Sequence, residues 1–61
     1  NANIIYAKSR SKSALGEVPE SLELLRKAIT LNPKTIRNWA KEEKIFERLH
    51  NDNQFRKMVK L

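Results

Sequence analysis

The chain has no cysteine, one glycine (Gly16), two prolines, one histidine (His50) and one aspartate (Asp52). Each shortage closes a route. Without cysteine there is neither a disulfide nor a thiolate nucleophile, a zinc site is not expected, and a single histidine excludes a histidine-rich metal cluster. No metal and no cofactor is therefore expected. Scarce glycine and proline argue for helices and against a turn-rich β fold. No apolar run is long enough to span a bilayer, and the start, NANIIYAKSRSK, lacks the apolar centre of a secretory leader. These absences favour an intracellular chain. The sequence does not begin with Met, so a fragment or processed product is expected. No catalytic activity is expected either. Glu42 and Glu43 are adjacent, so on a helix they point about 100° apart and form no carboxylate dyad, and no glycine-rich phosphate loop is present.

What is present is 61 residues with a net charge of +6. That length allows one domain, and a core of that size supplies only about 3–5 kcal/mol. Assembly, as a homo-oligomer or within a larger array, is the expected supplement. Charge is uneven: residues 1–15 carry Lys8, Arg10 and Lys12 with no acid, residues 16–33 are slightly acidic, and residues 34–61 return to excess base. A basic balance permits acidic protein, nucleic acid or anionic membrane partners.

The pattern predicts four helices. Residues 3–15 form a weak one, with Ile4, Ala7, Ser11, Ala14 and Leu15 on its more apolar side. Gly16 stops it, because glycine tolerates a left-handed backbone. Val18-Pro19-Glu20 opens the second helix, where proline's missing N–H is harmless. Leu22, Leu25, Ala28 and Ile29 give that helix its apolar stripe, and Asn32-Pro33 ends it. A third helix is expected from about Thr35, as its cap, to His50, with Trp39, Phe46 and Leu49 on one face above Ile36, and Glu43 interrupting that face. Asn51-Asp52-Asn53 breaks the chain before a short last helix, about Asn53–Lys60, with Phe55, Met58 and Val59 inward. His50, at a helix end, reads as a partner of the helix dipole.

Gly16, Leu25, Ala28 and Pro33 stand at the spacing of the second half of a tetratricopeptide repeat. Trp39 lies one repeat of about 34 residues after Ile5, and Ile5 and Ser9 fit the large and small residues of a first helix. The ending, WAKEEKIFERLHNDNQFRKMV, is similar to a terminal, capping unit of such arrays. The chain departs from the family pattern at Lys8, Lys12, Ser21, Glu42 and Glu43, where apolar or small residues are usual. The resemblance implies an all-α fold of antiparallel helical hairpins from an α-solenoid: residues 1–33 as one repeat hairpin, residues 34–61 as a partial repeat or cap. Gly16, Leu22, Leu25, Ala28, Pro33, Trp39, Phe46, Leu49 and Phe55 would be packing positions. It implies a protein-interaction or assembly module, whose groove would be lined by Asn3, Tyr6, Arg10 and Ser13 from the first helix and by Arg37, Ala40, Lys44, Glu47 and Arg48 from the third. Tyr6, Arg10, Arg37, Lys44 and Arg48 are the candidate ligand contacts, and their charge suits an acidic peptide or C-terminal carboxylate. The alternative is a helix associated with nucleic acid, through the basic, serine-rich stretch Lys8-Ser9-Arg10-Ser11-Lys12.

Overall fold

A computed structural model describes residues 1–61. The chain is all-α: α1 (Ala2–Ala14), α2 (Val18–Leu31), α3 (Pro33–Glu42), a 3₁₀ helix (Lys44–Asn51) and α4 (Asn53–Val59). No helix is long and apolar enough to cross a membrane. The elements close around one core of Tyr6, Leu22, Leu25, Ala28, Ile29, Ile36, Ala40, Phe46, Leu49, Phe55 and Val59. Every helix contributes to it.

α1 begins with a side-chain cap: Asn1 Oδ1 accepts the Asn3 and Ile4 N–H groups at 2.8 and 3.3 Å. At the other end Gly16 sits at φ +81°, as expected of a residue reversing the chain between two helices. α1 and α2 then run antiparallel, and Lys12 ties the turn by reaching Glu17 and Glu20 at 3.2 and 3.0 Å. The α2 stripe is as predicted, with Leu22, Leu25, Ala28 and Ile29 all buried.

The buried side of α1 differs from expectation. Ile4 and Leu15 are 58% and 71% exposed, and Ala7, Ser11 and Ala14 also face outward. The inward line is Tyr6, Ser9 and Ser13, with Ala2 and Ile5 packed at its edge. α1 carries so few apolar residues that hydrophobic patterning does not orient it. What orients it is the one large ring, Tyr6, and serine hydroxyls that find acceptors. Ser9 Oγ donates to the Ser21 carbonyl at 2.9 Å and Ser21 Oγ donates to the Ser9 carbonyl at 2.8 Å, with the two hydroxyls 3.3 Å apart. All four groups of this clasp are satisfied without water, so neither serine carries an unpaired polar group into the core.

The expected third helix is two helices and starts earlier. Asn32, not Thr35, is the boundary residue. Its N–H ends α2 on the Ala28 carbonyl at 3.0 Å, and its own carbonyl accepts from Ile36 at 3.1 Å to begin α3. Pro33 occupies the first turn of α3, where no donor is missed. α3 stops at Glu42 because its buried line, Ile36 and Ala40, would continue at helical spacing onto Glu43, Lys44 and Glu47. Glu43 instead turns extended (φ −73°, ψ 122°), and the chain restarts as a 3₁₀ helix. Residues three apart line up in that geometry, which puts Phe46 and Leu49 together in the core and leaves Glu47 outside. The last break falls as expected: Asp52 Oδ1 caps α4 on the Phe55 N–H at 3.0 Å.

Candidate functional site

The aromatic residues form a file across the molecule. Trp39 meets Tyr6 at 5.5 Å between ring centroids, Tyr6 meets Phe46 at 6.0 Å, Phe46 meets Phe55 at 5.8 Å, and Phe55 stacks on His50 at 5.5 Å. Such spacings add favourable quadrupole contacts to apolar burial. Phe46 and Phe55 are wholly enclosed, whereas Trp39 at the end of the file is 41% exposed. His50 does not stand free at its helix end, since its ring lies flat against Phe55.

Trp39 stands at one end of a trough between α1 and the α3–3₁₀ segment. The first hollow, about 410 Å³, is lined by Asn3, Tyr6, Ala7, Arg10, Trp39, Glu42 and Glu43. Ala7 and Arg10 continue into a second of about 310 Å³ with Ser11, Ala14 and Ile45. Ala14 and Ile45 then continue into a third of about 410 Å³ with Lys44, Glu47 and Arg48. The outward side of α1 that the sequence marked as its apolar face is thus one wall: Ala7, Ser11 and Ala14 are small enough to leave the trough open.

Charges alternate along it. Arg10 Nε meets Glu43 Oε1 at 2.7 Å, and Glu43 Oε2 accepts the Lys44 N–H at 3.1 Å, so this carboxylate both starts the 3₁₀ helix and bridges the trough. Beside that pair lies Tyr6, 5% exposed, whose hydroxyl is buried without a protein hydrogen-bond partner. Burial pushes its pKa up to about 12, the Glu43 carboxylate adds to the rise, and the Arg10 guanidinium opposes it. At the far end Arg48 donates to the Ser13 carbonyl and Ser13 Oγ reaches the Ile45 carbonyl at 3.4 Å. These bonds hold the 3₁₀ helix against α1. Lys44 is exposed and makes no ion pair.

The structure therefore gathers Asn3, Tyr6, Arg10, Lys44, Glu47 and Arg48 from the expected groove along one trough. It places the other three elsewhere. Ser13 and Ala40 are fully buried beneath the helices. Arg37 lies on the opposite flank of α3, where its Nε donates to the Met58 carbonyl at 2.9 Å and closes the C-terminal end of α4. Ala7, Ala14, Trp39, Glu42, Glu43 and Ile45 join the lining. The Lys8–Lys12 stretch is not a free basic strip: Ser9 is buried, Arg10 is held by Glu43 and Lys12 by two glutamates, leaving Lys8 exposed. No group of histidines and acids could hold a metal ion. No protein-family model, curated protein or solved structure matches the chain.

Proposed function

We propose that this chain is a protein-interaction module and that the α1–3₁₀ trough receives an extended or helical segment of a partner. The observation that carries the reading is Trp39. A tryptophan 41% exposed, braced against a buried tyrosine and facing Ala7 between Asn3, Arg10 and the two glutamates, offers a preformed aromatic surface with a polar rim, and aromatic anchors of this kind supply much of the energy of protein interfaces. The trough is polarised. Its Trp39 end carries Glu42 and the Arg10–Glu43 pair, while its other end carries Lys44 and Arg48 against Glu47. A segment with an apolar side chain on Trp39 and acidic residues running toward Lys44 and Arg48 fits both ends, which refines the acidic-peptide expectation. The likeness of Gly16, Leu25, Ala28 and Pro33 to a tetratricopeptide repeat supports the same class of function, with the broken third helix as a departure from that pattern.

Trp39 is the sole tryptophan, so its emission reports directly on this surface. Titration with a short peptide, one apolar residue followed by acids and a free C-terminal carboxylate, is expected to give a saturable change in emission. Lys44→Glu is the clean variant, because Lys44 is exposed and holds no other residue. It should weaken binding several-fold and leave the helical circular dichroism unchanged. Equal binding by Lys44→Glu, or no saturable change, refutes the reading.

A further inference from the structure

The basic charge left over after ion pairing is concentrated on α3 and α4. Residues 33–41 contain Lys34, Arg37 and Lys41, residues 53–61 contain Arg56, Lys57 and Lys60, and neither stretch contains an acid. None of these six cations is in a salt bridge; the paired ones are Arg10, Lys12 and Arg26. Lys34, Arg37 and Lys41 follow one another at i, i+3 and i+7, so they share one side of α3. The bond from Arg37 Nε to the Met58 carbonyl, 2.9 Å, brings that side against the C-terminal end of α4, next to Lys60. Arg56 turns away to the His50 carbonyl at 3.0 Å, and Lys57 lines a hollow with Pro19, Leu22 and Glu23 of α2, so the shared face consists of Lys34, Arg37, Lys41 and Lys60. Nearby acids do not neutralise it. Glu42 lines the trough on the Trp39 flank, Glu23 is bound to Arg26, and Asp52 is spent as the α4 cap.

From this arrangement we infer that the α3–α4 face binds the phosphate backbone of duplex nucleic acid without reading sequence. Four cations share this face with no acid among them, and a polyanion that meets them releases its own counterions. The molecule measures 23 × 22 × 17 Å, so this face spans about six base pairs at roughly 3.4 Å each. Trp39 lies on the other flank of α3 and Phe55 is buried, so the face has no ring on which an unpaired base could stack. That favours a duplex over a single strand. A bilayer surface fits less well, because the apolar sides of both helices (Ile36, Ala40, Phe55 and Val59) are in the core and cannot insert. The inference is independent of the trough, which lies on the α1 side.

The test is fluorescence anisotropy with a labelled, mixed-sequence duplex of about twenty base pairs, long enough to exceed the footprint several times over. About four phosphate contacts give a salt slope near −3.6, so affinity is expected to fall roughly 100-fold from about 50 to about 200 mM salt. Lys34→Glu/Lys41→Glu should lose about tenfold or more, while Lys8→Glu/Lys27→Glu, the same charge change on exposed positions of α1 and α2, should lose far less. Circular dichroism verifies that both variants are folded. Equal losses in the two variants would show diffuse charge and overturn the inference. So would tighter binding of the corresponding single strand, absence of duplex binding at low salt, or binding to phosphatidylserine vesicles in preference to the duplex.

Discussion

Replacing Ser21 by leucine should cost this protein most of its stability, whereas alanine at the same position should be nearly harmless. Ser9 and Ser21 are both fully buried, and each hydroxyl reaches the other residue's carbonyl at 2.9 or 2.8 Å. Bonds of that kind set how closely the α1 and α2 backbones approach. Ser21→Ala removes one donor worth about 0.5–1.5 kcal/mol net and recovers about 0.5 kcal/mol of helix propensity, so the balance is roughly 0–1 kcal/mol. Ser21→Leu loses the same bond and forces three further carbons between helices that leave no gap, which costs about 1–3 kcal/mol more. Against a core contribution of about 3–5 kcal/mol that is the larger part of the margin. A destabilisation of 1 kcal/mol moves the melting temperature of a domain this size by about 4–8 °C. Thermal melts followed by far-UV circular dichroism should therefore place Ser21→Ala within about 8 °C of the parent and Ser21→Leu far below it or unfolded. A cycle with Ser9→Ala and Ser21→Ala should show coupling of about 0.5 kcal/mol or more. Additive single effects, or a Ser21→Leu chain that melts with the parent, would refute the clasp as the device that spaces these helices.

Other outcomes follow from the same geometry. Phe46→Ala empties a wholly enclosed site between Tyr6 and Phe55 and should cost about 3–5 kcal/mol, leaving little cooperative unfolding in a urea titration. Asp52→Ala should lose about 1 kcal/mol with the α4 cap, and Asp52→Asn much less, because its amide oxygen can still accept from Phe55. Gly16→Ala meets no atom within 4 Å, so its cost is the left-handed backbone alone, about 1 kcal/mol, and Gly16→Asn should be milder in the same melt. The single tyrosine allows a clean alkaline titration by ultraviolet absorbance. Its folded pKa is raised to about 12 by burial, so the neutral phenol favours the folded state. Stability from this group is complete below the unfolded value of about 10 and is lost as pH rises from there toward 12. A phenol ionising near 10 in a chain still folded would contradict the placement of Tyr6.

The sequence made some of this architecture legible and hid the rest for physical reasons. α2 could be read because its leucines, Ala28 and Ile29 repeat at helical spacing between a proline start and an Asn-Pro stop. The inward face of α1 could not, because its apolar residues are few and scattered and the deciding groups are serines, whose burial depends on acceptors supplied by α2 and the 3₁₀ helix. The break at Glu43 was signalled only by an acid interrupting an apolar face. The change from α to 3₁₀ spacing becomes evident once Phe46 and Leu49 are seen to need the same core as Ile36 and Ala40. Of the expected groove, Tyr6, Arg10, Lys44 and Arg48 lie along one trough because repeat spacing follows helix faces. Arg37 escaped that logic, since its place is fixed by the end of α4, a distant part of the chain. In the sequence Trp39 carries only the signal of a packing aromatic, and its 41% exposure depends on how α1 lies across it.

The most direct test of the trough as the partner site is a map of backbone amide shifts in the labelled chain as the apolar–acidic peptide is added. Changes should cluster on Ala7, Arg10 and Ala14 of α1 and on Trp39, Lys44, Ile45 and Arg48 opposite, with the Trp39 indole N–H among the largest. Shifts confined to α2 and α4, or none at saturating peptide, would contradict the account.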